Sequence, residues 1–317
     1  MIEVKELVKK YGNKVVLDHV SFQVNEGEVL GFLGENGAGK STTMNIITGN
    51  LSATEGSVTI EGHDILESPL KAKKLLGYLP EQPPLYQDMT VKEYLNFVYR
   101  LKRCKLPREK HLEAVCRATQ VWDVYSRVIK NLSKGYKQRI GIAQALVGEP
   151  KVLILDEPTV GLDPKQLIEI RNLIRNLGKK HTVIVSSHIL SEIQAVCDRV
   201  IVINNGKMIA NDTLENLSYK LNGNYLKICI EGQEREVEQA LLKIEGLQKV
   251  RRLPCREKGC CTFEVRAKEN MDARKIIASY MKKSPWLLLE MESADMSLEK
   301  IFLRLTGTTG EYKEGKI

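Results

Sequence analysis

The amino-acid sequence predicts an α/β fold with an antiparallel β subdomain and a helical insert, followed by a small α+β domain. Two apolar runs, residues 152–155 and 182–185, are typical of strands that are buried on both faces of a parallel sheet. A glycine-rich segment at residues 34–42 lies between a third apolar run and a helical pattern. Residues 220–317 have strand and helix patterns of their own, so we place the domain boundary after residue 219.

The first elements are short strands at residues 2–8 and 15–24, which we expect to pair antiparallel around a turn at Gly12. Tyr11 lies at this turn, where its ring could offer a flat face to a purine. An ordinary surface tyrosine would occupy the same place, so Tyr11 alone is a weak indication.

The glycine-rich segment reads GENGAGKST and matches the phosphate-binding pattern GxxxxGK[ST]. Glycines let backbone N–H groups surround phosphate oxygens at distances that a Cβ would block, and the following helix directs its positive end at the same anion. Lys40 would add a charge, and Ser41 a hydroxyl for magnesium. The candidate nucleotide-binding residues are Gly34, Glu35, Asn36, Gly37, Ala38, Gly39, Lys40, Ser41 and Thr42.

The segment PEQPP at residues 80–84 ends the first α/β portion because its prolines can continue neither a helix nor a strand. Gln82 lies in this hinge. Thr90 and Glu93 then form a capping-box signature, and helical spacing follows, so we predict a helical insert at about residues 90–147.

A polar loop is predicted at residues 131–139, within this insert and ahead of its last helix. Ser133 and Gly135 make it a second candidate anion site, because the free N–H groups of a helix amino terminus follow them.

Two acids, Asp156 and Glu157, follow the apolar run at 152–155, at the end of a strand where open α/β sheets place ligands. We expect Asp156 to help hold magnesium and Glu157 to act as general base toward water. The plain alternative is the start of a loop. His188 follows the second apolar run and could contact the terminal phosphate, although an isolated histidine is usually structural or solvated.

In this order, the motifs make residues 1–219 resemble the ATPase subunit of an ATP-binding cassette (ABC) transporter, a P-loop NTPase. GENGAGKST is similar to the Walker A loop, LSKGY to the signature motif and VLILDE to the Walker B strand. The resemblance implies that Tyr11 stacks on adenine, that Ser41, Gln82 and Asp156 serve the metal, and that Asp163 lies in the D-loop. It also implies ATP and magnesium as ligands and a head-to-tail dimer that encloses ATP. The implied catalytic residues are Lys40, Gln82, Glu157 and His188.

The signature motif departs from the common LSGGQ, since Lys134 replaces a glycine and Tyr136 the glutamine. Ser133 and Gly135 are retained, so the phosphate contact of the motif should be retained too. Lys134 could add charge across the dimer interface, or it could simply be solvated.

Residues 220–317 have the order βαββαβ, which predicts a ferredoxin-like domain, and end in a helical stripe of Leu298, Ile301, Phe302 and Leu305. The ending SLEKIFLRLTG resembles the extension of bacterial ATPases that serve separately encoded export permeases, including drug-resistance and gliding-motility systems. No catalytic constellation occurs here, so we predict a regulatory or dimer-supporting role.

Composition limits the remaining choices. No apolar segment approaches the ~20 residues that span a bilayer, and the charged amino terminus argues against a signal peptide. The net charge of +8 is spread along the chain without aromatic interleaving, so we expect a solvated surface or one that faces anionic lipid, and no nucleic-acid partner.

The seven cysteines lack a disulfide framework, so reduced thiols are expected. Only Cys255, Cys260 and Cys261 cluster in sequence. A metal site would need a second pair or nearby histidines, so we interpret them as strand and turn thiols and keep metal as the less favoured alternative.

Together these features predict a cytoplasmic ATPase subunit, peripheral on the cytoplasmic face of the cell membrane, that energises export of an unknown substrate through a separate permease. The alternative is a soluble ABC-type ATPase that acts on the ribosome or nucleic acid. Members acting there carry two cassettes or a long coiled coil, which this sequence lacks. A non-hydrolytic switch is disfavoured because Glu157 and His188 are present.

Overall fold

The structure, a computed structural model, describes residues 1–217, 225–255, 257, 259–268 and 271–293. The chain divides into two units, Met1–Asp212 and Thr213–Ile317. The predicted boundary after residue 219 lies seven residues later than this division, which falls at the end of the strand Lys207–Thr213. Among the described residues, no helix combines the length and the apolar character needed to cross a membrane.

The first unit contains two sheets and a group of helices. Its elements are β1 (Ile2–Tyr11), β2 (Lys14–Val24), β3 (Val29–Leu33), α1 (Lys40–Ile47), β4 (Glu55–Ile60), β5 (His63–Asp64), α2 (Pro69–Lys74), β6 (Leu76–Leu79), α3 (Val91–Leu101), α4 (Arg108–Ala118), α5 (Lys134–Leu146), β7 (Val152–Asp156), α6 (Pro164–Gly178), β8 (Thr182–Ser187), α7 (Leu190–Val196), β9 (Arg199–Asn204) and β10 (Lys207–Thr213), with 3-10 turns at Trp122–Val124 and Ile129–Asn131.

The smaller sheet has the order β2-β1-β4-β5, with every neighbouring pair antiparallel. The predicted hairpin around Gly12 is confirmed, and its strands extend to the pair Tyr11 and Lys14. The buried side of this sheet, including Ile2, Leu17 and Val20, packs against α1 and the larger sheet in one hydrophobic core.

The larger sheet has the order β10-β9-β3-β8-β7-β6. Its strands from β9 to β6 are parallel, and every residue of β3, β7 and β8 is buried. This confirms the two fully buried strands that their apolar runs predicted. Because parallel strands end at the same edge, the loops after β3, β7 and β8 meet there.

The helical insert contains α3, α4 and α5. Thr90 and Glu93 form the predicted capping box at the start of α3. The predicted loop at residues 131–139 is shorter than expected, because Ser133 caps α5 and the helix begins at Lys134. The buried side chain of Gln138 belongs to this helix rather than to a loop.

The second unit has the predicted βαββαβ order: β11 (Tyr225–Glu231), α8 (Glu234–Leu242), β12 (Leu247–Leu253), β13 (Cys260–Ala267), α9 (Ala273–Met281) and β14 (Leu287–Ser293). Its antiparallel sheet runs β12-β13-β11-β14, with the first and third strands of the unit adjacent at the centre, as in a split βαβ fold. Val237 of α8 and Ile277 of α9 lie in the core on one side of this sheet. The predicted last helix, with Leu298, Ile301, Phe302 and Leu305, lies outside the described residues.

Candidate nucleotide site

The glycine-rich loop between β3 and α1 has the backbone of an anion cradle. Gly37 and Gly39 have φ values of 83° and 112°, in the left-handed region that favours glycine. A Cβ on Gly34 would lie 2.6 Å from the Ile203 carbonyl oxygen. Gly39 is the N-cap of α1, and no side chain caps the helix there. The first N–H groups of α1 can therefore donate to an anion held in the loop.

Lys40 supplies the positive charge of the loop. Its side chain is 5% exposed, and its Nζ donates to the carbonyl oxygens of Gly34 at 2.8 Å and Glu35 at 3.2 Å. The same nitrogen lies 3.3 Å from Glu157 Oε1. A phosphate in the loop would compete with the Glu157 carboxylate for the Lys40 ammonium group.

Asp156 ends β7 and is 2% exposed. Ser186 Oγ donates to Asp156 Oδ1 at 2.5 Å, and Ser41 Oγ donates to the same oxygen at 3.4 Å. Burial raises the pKa of Asp156, and the two serine hydrogen bonds oppose this shift. The hydroxyl of Ser41 and the carboxylate of Asp156 are the hard oxygen ligands that magnesium prefers, so the residues fit that ion.

Glu157 follows with a left-handed backbone, at φ 47°, which turns its carboxylate toward the loop. Its N–H donates to Ser186 Oγ at 2.9 Å. His188 Nδ1 lies 2.9 Å from Glu157 Oε2, so the histidine that follows β8 is in contact with the acid that follows β7. This pairing gives Glu157 a fixed orientation and a partner for a proton.

Behind these acids lies a carboxylate that the sequence did not single out. Glu192 is buried and accepts hydrogen bonds from Ser187 Oγ at 2.9 Å and from Thr159 Oγ1. It thereby ties the end of β8 to the loop after Glu157. No sequence motif marks this residue, since it is an ordinary helical glutamate of α7.

A cavity of about 840 Å³ opens in front of the loop. Glu81 and the hairpin tip of Asn205 and Gly206 also line it, and Gly206 N–H donates to the Ala38 carbonyl oxygen at 3.0 Å. Gln82 itself is exposed and is not among the lining residues, although its neighbour is. The candidate residues that line the cavity are Tyr11, Asn36, Gly37, Gly39, Lys40, Ser41, Thr42, Glu157 and His188.

The signature residues lie outside this lining. Ser133 is exposed, and its Oγ accepts from the Tyr136 N–H at 3.5 Å. A Cβ on Gly135 would lie 2.6 Å from the side chain of Gln166, whose own N–H donates to Asp163 Oδ1 at 2.9 Å. Asp163 is thus the N-cap of α6. Nucleotide binding by Ser133, Gly135 and Asp163 stays a prediction.

The two residues that depart from the common signature also have intrachain partners. Tyr136 Oη donates to Asp123 Oδ2 at 2.6 Å. The Lys134 side chain lies against Gly161, in the turn that leads to Asp163. The signature segment and this turn therefore form one packed surface within the chain.

Comparison with known proteins matches residues 17–160 to the ABC transporter family. The chain is 33% identical to an uncharacterised ABC transporter ATP-binding protein, YhcH, of Bacillus subtilis, over 98% of this chain and 97% of that protein. It is 32% identical to the linearmycin resistance ATP-binding protein LnrL of the same organism, over 98% and 99%.

Solved structures agree with this match. An ATP-binding subunit of an ABC transporter superposes with a TM-score of 0.63 at 31% identity, covering 70% of this chain and 93% of that one. A bacterial ABC transporter cassette solved as a dimer superposes with a TM-score of 0.61 at 27% identity, covering 68% and 99%. The chain therefore belongs to the ABC transporter ATP-binding proteins and is the ATP-hydrolysing subunit of such a transporter.

Proposed function

We propose that this ATPase energises export of a substrate through a separately encoded membrane permease. The observation that carries the proposal is that Lys40, Glu157 and His188 line one cavity at the amino terminus of α1, while Asp156 accepts a hydrogen bond from Ser41, which also lines it. The relative named for linearmycin resistance supports export, as does the bacitracin transport protein BcrA of Bacillus licheniformis, which is 35% identical over 75% of this chain and 77% of its own length.

Magnesium would be held by the Ser41 hydroxyl and the Asp156 carboxylate, directly or through water, with Gln82 as a further proposed contact. When bound, the ion neutralises phosphate charge. The chain itself supplies the rest. Lys40 and the N–H groups of α1 hold the phosphates, and Glu157 accepts the proton of the attacking water. His188 keeps the Glu157 carboxylate in place.

The proposed assembly is a head-to-tail dimer with ATP between the loop of one subunit and Ser133 and Gly135 of the other. The exposure of Ser133 and its place outside the cavity of its own chain support this arrangement. A related cassette was solved as a dimer, which is consistent with it. We propose that the second unit, which the sequence predicts to span residues 220–317, regulates or supports this dimer.

The proposed permease contact follows Gln82. Tyr86 is 53% exposed and packs edge-on against Phe97, with ring centroids 5.3 Å apart, while Leu85 is half-buried. Exposed aromatic and apolar side chains of this kind often dominate interfaces. Binding there would place the protein on the cytoplasmic face of the membrane.

The test is recovery of a membrane permease with the tagged chain from solubilised membranes. The double variant Leu85→Ala with Tyr86→Ala should fold and bind ATP but lose most of the permease. Leu70→Ala, a leucine that is 79% exposed on α2, is the matched control and should recover it fully. Full recovery by the double variant would place the contact elsewhere. Recovery of ribosomes or nucleic acid in place of any membrane protein would favour the alternative function.

A further inference from the structure

Three candidate metal ligands converge in the second unit, and one of them, Cys229, is distant from the others in sequence. Cys229 Sγ on β11, Cys260 Sγ on β13 and a carboxylate oxygen of Glu257 all lie within 4.8 Å of one another. The Cys255 thiol lies close enough to that of Cys229 for the two to interact electrostatically. Cys255 and Glu257 belong to the turn between β12 and β13.

The alternation of the strands decides which thiols belong to the group. Ile228 and Ile230 of β11 lie in the core with the helices, so Cys229 between them points to the opposite face of the sheet. On β13, Cys261 lies in the same core, and its Sγ donates to the Ile230 carbonyl oxygen at 3.3 Å. Cys260 therefore shares the face of Cys229, and Cys261 does not.

The Glu257 carboxylate lies against this part of the open face. Cys229 is 7% exposed although it faces away from the helices. Gly232 N–H donates to the Gly259 carbonyl oxygen at 3.0 Å, which holds the end of the turn to β11. The Cys255 S–H donates to the Glu257 carbonyl oxygen at 3.7 Å. The turn thus brings Cys255 and Glu257 over a thiol that β11 supplies.

We propose that Cys229, Cys255, Cys260 and Glu257 form a binding site for a thiophilic metal ion of the zinc class. Zinc takes four ligands in tetrahedral geometry and accepts thiolates and carboxylates together. Two sulfurs at ~2.3 Å from a tetrahedral centre are about 3.8 Å apart, which is within about 1 Å of the largest spacing of the three converging ligand atoms. Each bound thiol releases its proton to solvent as its metal–sulfur bond forms. The bound ion would fasten the turn to the central strand β11.

The test uses the full chain, purified under reducing conditions without chelator and without nucleotide. After incubation with zinc and gel filtration, elemental analysis should find about one zinc per chain at this site. Cobalt in its place should give thiolate charge-transfer bands in the near ultraviolet. Cys260→Ser and Glu257→Gln, which change accessible ligands, should each weaken zinc binding by ~10-fold or more.

Cys104→Ser is the matched control, because Cys104 is a partly exposed thiol in the other unit and should leave zinc binding unchanged. Cys229→Ser tests the buried ligand, and the folding of this variant is checked by circular dichroism and thermal unfolding of the full chain. Zinc content in the Cys260→Ser chain equal to that of wild type would overturn the proposal. So would a reduced wild-type chain that binds no zinc and forms a Cys229–Cys255 disulfide on oxidation, which would assign the thiols to redox chemistry.

Discussion

Two helix amino termini of the first unit are candidates for anion binding, but they differ in side-chain capping and in exposure. The amino terminus of α1 has no side-chain cap, and the buried Lys40 lies beside it. The amino terminus of α5 has Ser133 as its own cap, accepting from the Tyr136 N–H at 3.5 Å, and it is exposed. Acids of the same chain, Asp156 and Glu157, lie beside the first end, whereas the hydroxyl at the second end is exposed and makes one long hydrogen bond. In the proposed dimer, ATP binding would belong to one chain while hydrolysis would depend on two.

The largest effect is expected on the rate of ATP hydrolysis, from a change at Glu157 near the amino terminus of α1. Glu157→Gln should slow steady-state ATP hydrolysis by ~10²–10⁴-fold, the usual contribution of a general base, with ATP affinity near that of wild type. Phosphate release and nucleotide titration measure the two quantities. Glu149→Gln, an exposed glutamate before β7, is the control. Unchanged hydrolysis would remove Glu157 from this role.

Lys40→Ala should weaken ATP binding itself, because in the proposed mechanism the Lys40 ammonium group contacts phosphate before hydrolysis begins. A charge-assisted hydrogen bond contributes about 1.5–3 kcal/mol, or ~10–10²-fold in affinity. Titration with a fluorescent ATP analogue measures the effect. Lys74→Ala, at the exposed end of α2, should bind as wild type. Equal affinity of the Lys40 and Lys74 variants would mean that the loop backbone alone holds the phosphates.

Ser133→Ala tests the amino terminus of α5. Unlike Lys40→Ala, it should leave ATP affinity unchanged and reduce the rate of hydrolysis by ~10-fold. This reduction is smaller than that expected for loss of a full oxyanion donor. In the Glu157→Gln background Ser133→Ala should also reduce ATP-dependent dimers in light scattering. Thr90→Ala, which removes the side-chain cap of α3, controls for loss of a cap residue. A loss of ATP affinity in the Ser133 variant would mean that the amino terminus of α5, like that of α1, contributes to ATP binding, and would contradict the proposed difference between them.

The smallest effect concerns folding stability and pH. Burial raises the pKa of Asp156, so the folded chain binds this proton more tightly than the unfolded chain. Its stabilising contribution is complete below the ordinary aspartic acid pKa of about 4 and is lost as the pH rises through the folded pKa. At neutral pH, Asp156→Asn should therefore raise the Tm of the nucleotide-free protein by roughly 2–4 °C, as for ~1 kcal/mol.

The difference in Tm between Asp156→Asn and wild type should decrease as the pH is lowered toward about 4. Asp88→Asn, whose side chain is 90% exposed, is the control for general charge effects and should show no such trend. A difference in Tm that is independent of pH would exclude titration of Asp156 as its cause.

Much of the fold could be predicted because its signals are local. The apolar runs that became β7 and β8, the capping box at Thr90 and the βαββαβ order each depend on residues close in sequence. The start of α5 was misjudged because a serine and a glycine suggest a loop, while burial of Gln138 favours a helix. Tertiary packing here overrode local propensity.

The site was less predictable where its contacts join distant strands. Ser186, which holds both Asp156 and the Glu157 N–H, is an inconspicuous serine until β7 and β8 are placed side by side. Glu81 lines the cavity, but the sequence favoured its neighbour Gln82. Cys229 could not be assigned to the thiol cluster because only the pairing of β11 with β13 brings it there.

The left-handed backbone of Glu157 has a consequence for laboratory evolution. A non-glycine residue at φ 47° carries a conformational cost of ~1 kcal/mol or more, and glycine or asparagine would relieve it. Variants selected for heat resistance alone should therefore accumulate replacements at position 157 and lose turnover, whereas selection for growth that requires the ATPase should keep the glutamate. Sequencing both pools would show whether folding stability and ATP turnover favour different residues at position 157.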